Sequence, residues 1–298
     1  GRIGVVAALT LGDKSQLDKD TRNAFAMAGA MHVLAVSGLH VGILFMVIQK
    51  LLKPLSRLKN GSWFKTVILI ATLWFYATLT GLSPSVLRTS TMFTFIALAS
   101  HGGRQSNIYN TLAASAFLLL AIDPHLLFNV GFQLSYCAVI GIIWLQPVIY
   151  RVWFIKHKVG NWLWQLTSVS LAAQIATFPL GIFYFEQFPN LFLLTNILVI
   201  PAATALLICG LGFYASCWIP EVNQLVAWVV DKIAAGMNGG VCWVESIPFS
   251  STQDLYISLG QMALIYAVII SLFLWFEHKK SACFKRFLVA TIVAVICF

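Results

Sequence analysis

Charge is scarce in this sequence. Only 10% of its 298 residues are Asp, Glu, Lys or Arg, while 59% are hydrophobic and the mean hydropathy is +0.86. Soluble domains carry about 25% charged and about 45–50% apolar residues. A soluble reading would therefore require a very large, nearly charge-free core. Cysteine patterning is also missing. Cys137, Cys209, Cys217, Cys242, Cys283 and Cys297 form no C-x-x-C pair and no Cys/His zinc spacing. Most fall within or beside apolar stretches, where a free thiol packs as a small hydrophobe, so neither a disulfide nor a metal site is expected. No cofactor is expected. No period of 20–50 residues marks a solenoid or array. No secretory signal peptide is visible, and no Walker motif supplies a nucleotide-driven motor.

What the chain does have is long apolar runs. They lie at 31–50, 63–81, 84–100, 107–122, 130–150, 163–184, 190–217 and 255–277, with a partial one from 287. About 20 apolar residues cross the ~30 Å hydrocarbon layer. Trp63, Tyr150, Trp153, Trp162, Trp164, Trp218 and Trp275 mark segment ends, as interfacial aromatics do. The expected fold is all-α: a polytopic transmembrane helical bundle with discontinuous or re-entrant helices and interfacial amphipathic helices. Residues 1–298 read as one membrane domain. Residues 1–30 form a lead-in with a surface helix at 22–30, capped by Asp20 or Thr21. The first residue is Gly1 and the last, Phe298, lies inside an apolar run. A fragment of a longer protein is therefore expected.

Loop charge gives an orientation. Lys50, Lys53, Arg57, Lys59, Lys65, Arg104, Arg151, Lys156, Lys158, Lys279, Lys280, Lys285 and Arg286 are 13 of the 19 basic residues. The positive-inside rule puts their loops in the cytoplasm and directs both ends of the chain outward. The run 190–217 is too long for one straight span and contains Asn196, Pro201, Gly210 and Gly212. It reads as a re-entrant hairpin followed by an interfacial helix at 222–236, with Leu225, Val226, Val229, Ile233 and Met237 as the apolar stripe. The alternative is one tilted span plus a Gly-rich span at 224–246.

Polar residues within membrane segments are costly and usually face protein or a wet cavity. His32, Ser37, Gly38, His40 and Gly42 share the first segment. On an ideal helix His32 and His40 lie ~80° apart, so both can face one cavity. Three roles fit this group: a Ser37–His nucleophile and base, a metal site, or the lining of a polar path. Simple helix–helix hydrogen bonding also fits. Arg88 stays charged and is expected to pair with Asp123, another helix or an anionic passenger, or to snorkel. Further sets are Asp123-Pro124-His125, Asn129 as a cap with Gln133, Ser135 and Tyr136 following, Gln174 with Thr177 and Pro179, and Asn196 with Pro201. Gly38, Gly42, Pro84, Pro124, Pro179 and Pro201 are the expected structural breaks. Together these features suggest broken helices around a wet interior.

In order along the chain come Leu11-Gly12-Asp13-Lys14-Ser15, His32-x-Leu-Ala-x-Ser37-Gly-Leu-His40-x-Gly42, Ser83-Pro84-Ser85-Val86-Leu87-Arg88, Asp123-Pro124, Gly131-Phe132-Gln133-Leu134-Ser135-Tyr136, Gln174-x-x-Thr177-x-Pro179 and Asn196-x-x-x-x-Pro201. This set resembles the ComEC competence proteins over nearly the whole length. The resemblance implies a bacterial inner-membrane channel that passes single-stranded DNA into the cytoplasm during natural transformation. It also implies a periplasmic DNA receptor and a cytoplasmic helicase-like ATPase as partners. OB-like and metallo-β-lactamase-like domains are expected elsewhere in the full-length protein. This chain has no H-x-H-x-D-H set, so no enzyme activity is expected of it. His32, Ser37, His40, Arg88, Gln133, Gln174 and Asn196 are the expected path residues, with no metal and no catalytic group. A discontinuous-helix solute or ion transporter and an intramembrane Ser/His hydrolase are the rival readings. The net charge of +9 adds little, because the topology already accounts for most basic residues.

Overall fold

The computed structural model describes residues 2–13, 15–57, 61–103, 106–278 and 281–297. Gly1, Lys14, Lys59, Arg104, Lys279, Lys280 and Phe298 lie outside the described residues. The described chain is helical almost throughout. Its elements are α1 (Arg2–Leu11), α2 (Lys19–Met27), α3 (Met31–Leu34), α4 (Gly38–Leu51), α5 (Gly61–Leu79), α6 (Pro84–His101), α7 (Ile108–Ile122), α8 (Val130–Tyr150), α9 (Lys158–Phe185), α10 (Phe192–Ala215), α11 (Pro220–Glu245), α12 (Leu259–His278) and α13 (Ser281–Cys297). Strands β1 (Phe188–Pro189) and β2 (Ser251–Thr252) form one short antiparallel pair. Helices α5, α8, α9, α10, α11 and α12 are long and apolar enough to cross a membrane. The fold is an all-α polytopic bundle.

The chain packs as two compact units. One comprises residues 1–26, 30–135 and 198–245; the other comprises 27–29, 136–197 and 246–298.

The core of the first unit is built by α4, α5 and α6. Val41, Leu44 and Phe45 meet Leu69, Leu73, Tyr76 and Ala77, with Val86 and Ala97 closing the cluster. Phe45 stacks on Phe93 with ring centroids 4.4 Å apart. The lead-in is part of this packing. Val5, Ala8 and Leu9 are fully buried, α1 lies on α11, and Tyr76 Oη donates to the Thr10 carbonyl at 3.3 Å. Arg2 and Asp231 add a half-exposed ion pair at 3.3 Å, the kind that stabilises by about 0–1 kcal/mol. Helix α2 begins at Lys19, earlier than Asp20 or Thr21 caps would allow, and the Thr21 hydroxyl donates to the Asp18 carboxylate.

The expected hairpin at 190–217 is corrected. Residues 192–215 form one helix, with Pro201 inside it. At ~36 Å it crosses the ~30 Å hydrocarbon layer with tilt. An unwound turn at membrane depth would leave backbone groups unpaired, so a Pro-containing helix is the better solution. Gly210 marks a contact instead of a hinge: a Cβ there would come within 2.7 Å of the Thr10 methyl. The interfacial helix at 222–236 is corrected with it. Helix α11 runs to Glu245 and buries Val230, Ala234, Met237, Val241 and Val244. That is one helical face, continued through Gly236, Gly239 and Gly240 because nothing in the run forbids helical dihedrals.

Gly42, Pro179 and Pro201 also lie inside continuous helices, so they are not breaks. In the second unit Pro179 sits beside a set of interhelical hydrogen bonds. Proline has no N–H to donate, which weakens the ladder one turn earlier. The carbonyl that loses its donor is that of Ile175; one residue on, the Ala176 carbonyl accepts from Tyr266 Oη on α12 and from Cys137 Sγ on α8, each at 2.9 Å. Side chains from two neighbouring helices thus supply polar partners beside the proline. Helices α8 and α9 touch closely at Gly141, where an added Cβ would collide with the Ala176 methyl and lie 2.9 Å from the Ala172 carbonyl.

Candidate functional site

The first apolar segment is discontinuous. Helix α3 ends at Leu34, Ala35 leaves it with extended dihedrals (φ −89°, ψ 136°), and α4 starts at Gly38. Ser37 is the residue before α4, with φ −101° and ψ 167°, as an N-cap requires. This break replaces the single ideal helix on which His32 and His40 were placed. His32 is exposed and His40 is buried, with 1% of its surface accessible.

His40 turns back onto the cap. Its Nδ1 lies 3.0 Å from the Ser37 N–H and 2.9 Å from Ser37 Oγ. An Nδ1 that accepts the backbone N–H leaves the ring proton on Nε2. Nε2 is buried and has no hydrogen-bond partner among the described residues. A serine–histidine pair within reach is the geometry a hydrolase needs. Here, however, the nitrogen that faces the hydroxyl is also tied to the backbone cap, and among the described residues no acidic group orients the far side of the ring.

Next to this cap lies Arg88. Pro84 is the first residue of α6, which proline's fixed φ favours. That places Ser85, Arg88 and Thr89 in its first turns. The Gly38 N–H donates to Ser85 Oγ at 3.2 Å. A Cβ on Gly38 would come within 2.6 Å of Thr89 Oγ1 and 2.9 Å of Arg88 Nη2. Glycine is therefore required for α4 to seat its N-terminus on α6. Arg88 is only 6% exposed, which rules out snorkelling. Its Nε donates to Ser135 Oγ on α8 at 2.8 Å. The Asp123 carboxylate instead accepts the His125 N–H in a Pro124-led 3-10 turn.

Helix α8 delivers Ser135 through a built N-terminus. Asn129 Oδ1 accepts the Phe132 N–H at 3.2 Å, and Gly131 packs near Pro84. Gln133, half-buried, donates to the Leu127 carbonyl. The N-terminal turns of α4, α6 and α8 thus meet around Arg88, ringed by Ser37, Ser85, Thr89 and Ser135. Helix N-termini carry partial positive charge. Together with the guanidinium they form an electropositive, hydroxyl-rich node.

Gln174 and Asn196 belong to the second unit. Gln174 is half-buried on α9. Asn196 is 7% exposed on α10, and its Oδ1 has no hydrogen-bond partner among the described residues. Sequence reasoning quoted Ser85 and Ser135 within motifs without giving them a role. Their partners, Gly38 and Arg88, are 47 residues away, so only the fold could pair them. Tyr266 was missed, although a tyrosine in mid-span, far from any aromatic belt, was a readable signal. Outside the spans of the second unit, Glu186 and then Asp254 push the exposed Tyr256 phenol above its ordinary value. Among the described residues no three His, Cys, Asp or Glu side chains gather as a metal site.

A family model described as "Competence protein" matches residues 9–279. The chain is 32% identical over 217 residues to "ComE operon protein 3" of Bacillus subtilis, which covers 73% of this chain and 25% of that protein. It is 23% identical over 296 residues to "Recombination protein 2" of Haemophilus influenzae, covering 93% of this chain and 36% of the relative. A 148-residue stretch, 48% of this chain and 21% of the relative, is 33% identical to "Competence protein ComA" of Neisseria gonorrhoeae. The chain thus spans about a quarter to a third of the length of the first two relatives. No solved structure matches it.

Proposed function

The chain belongs to the competence protein family, and from that premise we propose that it forms the passage by which a single strand of DNA crosses the bacterial inner membrane during DNA uptake. One observation carries the proposal: three helix N-termini and the buried Arg88 guanidinium meet in one hydroxyl-lined node of the first unit. Such a node favours an anion. Discontinuous helices use their N-terminal ends this way for anionic substrates, and guanidinium forks match phosphate oxygens. Hydroxyls surround the charge and offer weaker contacts, so a strand is held loosely enough to move on.

In this reading Arg88, His40, Ser37 and Gln133 line the path in the first unit, with His32 at its edge. Gln174 and Asn196 are the path residues proposed within the second unit. The loops rich in Lys and Arg face the cytoplasm and both ends of the chain face outward. A receptor outside and a helicase-like ATPase inside complete the machine, together with OB-like and nuclease domains of the full-length protein. This chain carries no catalytic role.

The Ser37–His40 contact at 2.9 Å favours a second reading, a Ser/His hydrolase. Ser37→Ala separates the two. The passage reading makes Ser37 a cap, so the variant loses about 1 kcal/mol of stability and keeps most DNA uptake. Uptake of labelled DNA by cells carrying the variant at normal membrane abundance is the measurement. Complete loss of uptake would favour the hydrolase.

A further inference from the structure

Helices α12 and α13 lie along each other in the second unit. They leave an open groove of about 430 Å³, lined by Leu264 and Ala267 on α12 and by Lys285, Arg286, Val289 and Val293 on α13. This size falls in the range of ~300–1,000 Å³ typical of small-molecule sites. The lining is apolar almost throughout, and Lys285 and Arg286 contribute their aliphatic stems to it. Lys285 and Arg286 precede Val293 by about two turns, ~11 Å along the helix axis. The two cationic residues therefore sit at one end, toward the start of α13, and the apolar floor runs away from them. Among the described residues no acidic side chain lines the groove.

We propose that this groove binds an anionic phospholipid, with its phosphate on Lys285 and Arg286 and one acyl chain laid over Leu264, Ala267, Val289 and Val293. The groove lies on α12, which is long and apolar enough to cross a bilayer, so lipid is the solvent it meets. An acyl chain gains little by leaving other acyl chains. The headgroup then decides occupancy, and two cations at one end favour a net negative one over a zwitterionic one. Arginine adds a planar fork that fits phosphate oxygens. The site needs only membrane residence and does not depend on the DNA passage.

Native mass spectrometry of the full-length protein tests this after equilibration in nanodiscs of equimolar phosphatidylcholine and phosphatidylglycerol. The wild type is expected to retain phosphatidylglycerol about tenfold over phosphatidylcholine. Lys285→Gln/Arg286→Gln is expected to abolish that preference, and Val289→Trp, which fills the groove, to reduce bound lipid of both kinds. Lys50→Gln/Lys53→Gln removes two basic residues from the first unit and is expected to leave the preference intact. The proposal is overturned if the wild type shows no preference, if the Lys285/Arg286 variant keeps it, or if Val289→Trp leaves the bound lipid unchanged. Disulfide crosslinking of Val293→Cys to a second copy in native membranes would also overturn it, in favour of a protein occupant.

Discussion

Arg88→Glu is expected to lower DNA uptake by about 100-fold or more while the protein still inserts. The side chain is 6% exposed and bonds to Ser135 across two helices. Hydrogen bonds to charged groups contribute about 1.5–3 kcal/mol each, and about 1.4 kcal/mol is tenfold in rate. Reversing the charge removes the attraction for a phosphate and adds repulsion at the same point. It also sets a carboxylate beside Ser135 Oγ, which can still donate to it, so the α6–α8 contact survives better than the function. Arg88→Lys keeps the charge but loses the fork, and is expected to fall between wild type and Glu. The measurement is transformation frequency normalised to membrane-inserted protein. Normal uptake by inserted Arg88→Glu would remove Arg88 from the path.

Gly141→Leu is expected to have the largest effect on folding. A Cβ at this position already collides with the Ala176 methyl and lies 2.9 Å from the Ala172 carbonyl. Helices α8 and α9 must separate to admit a leucine. Overpacking a tight core costs about 1–3 kcal/mol. Here separation also pulls Cys137 away from the Ala176 carbonyl, which it contacts at 2.9 Å, so the upper end of that range applies. Small residues at helix contacts are what permit close approach in membranes. Thermal unfolding of purified protein in detergent is the measurement. Gly181→Leu, with nothing within 4 Å of its Cβ position, is the control and is expected to shift the melt much less.

Legibility in the sequence followed the reach of each signal. Helix α8 was read at 130–150 because Asn129 offers a cap on one side and Tyr150-Arg151 an interface on the other; both signals are local. The break was read at Gly38, but its extent over 35–37 was hidden, since Val-Leu-Ala-Val before Ser37-Gly38 is equally good inside a helix. Only the contact of Gly38 with Arg88 and Thr89 explains why α4 starts there. Pro179 and Pro201 were overread as breaks. A proline announces a lost backbone bond but cannot show that Tyr266 and Cys137 tie the neighbouring Ala176 carbonyl to two other helices. Gly210 was read as part of a re-entrant hairpin and is instead a contact with Thr10. Arg88 was legible as costly, but its partner Ser135 was not, because pairing across 47 residues is a property of the fold.

The most direct test of the passage is photo-crosslinking during uptake. A photoreactive side chain replaces Gln133, half-buried beside the node, in full-length protein that still transforms. A second replaces Phe75, 64% exposed on α5, as a lipid-facing reference. The account predicts that a labelled incoming strand crosslinks at position 133 and not at position 75. Continued uptake with no crosslink at position 133, or with equal crosslinking at both positions, would contradict it.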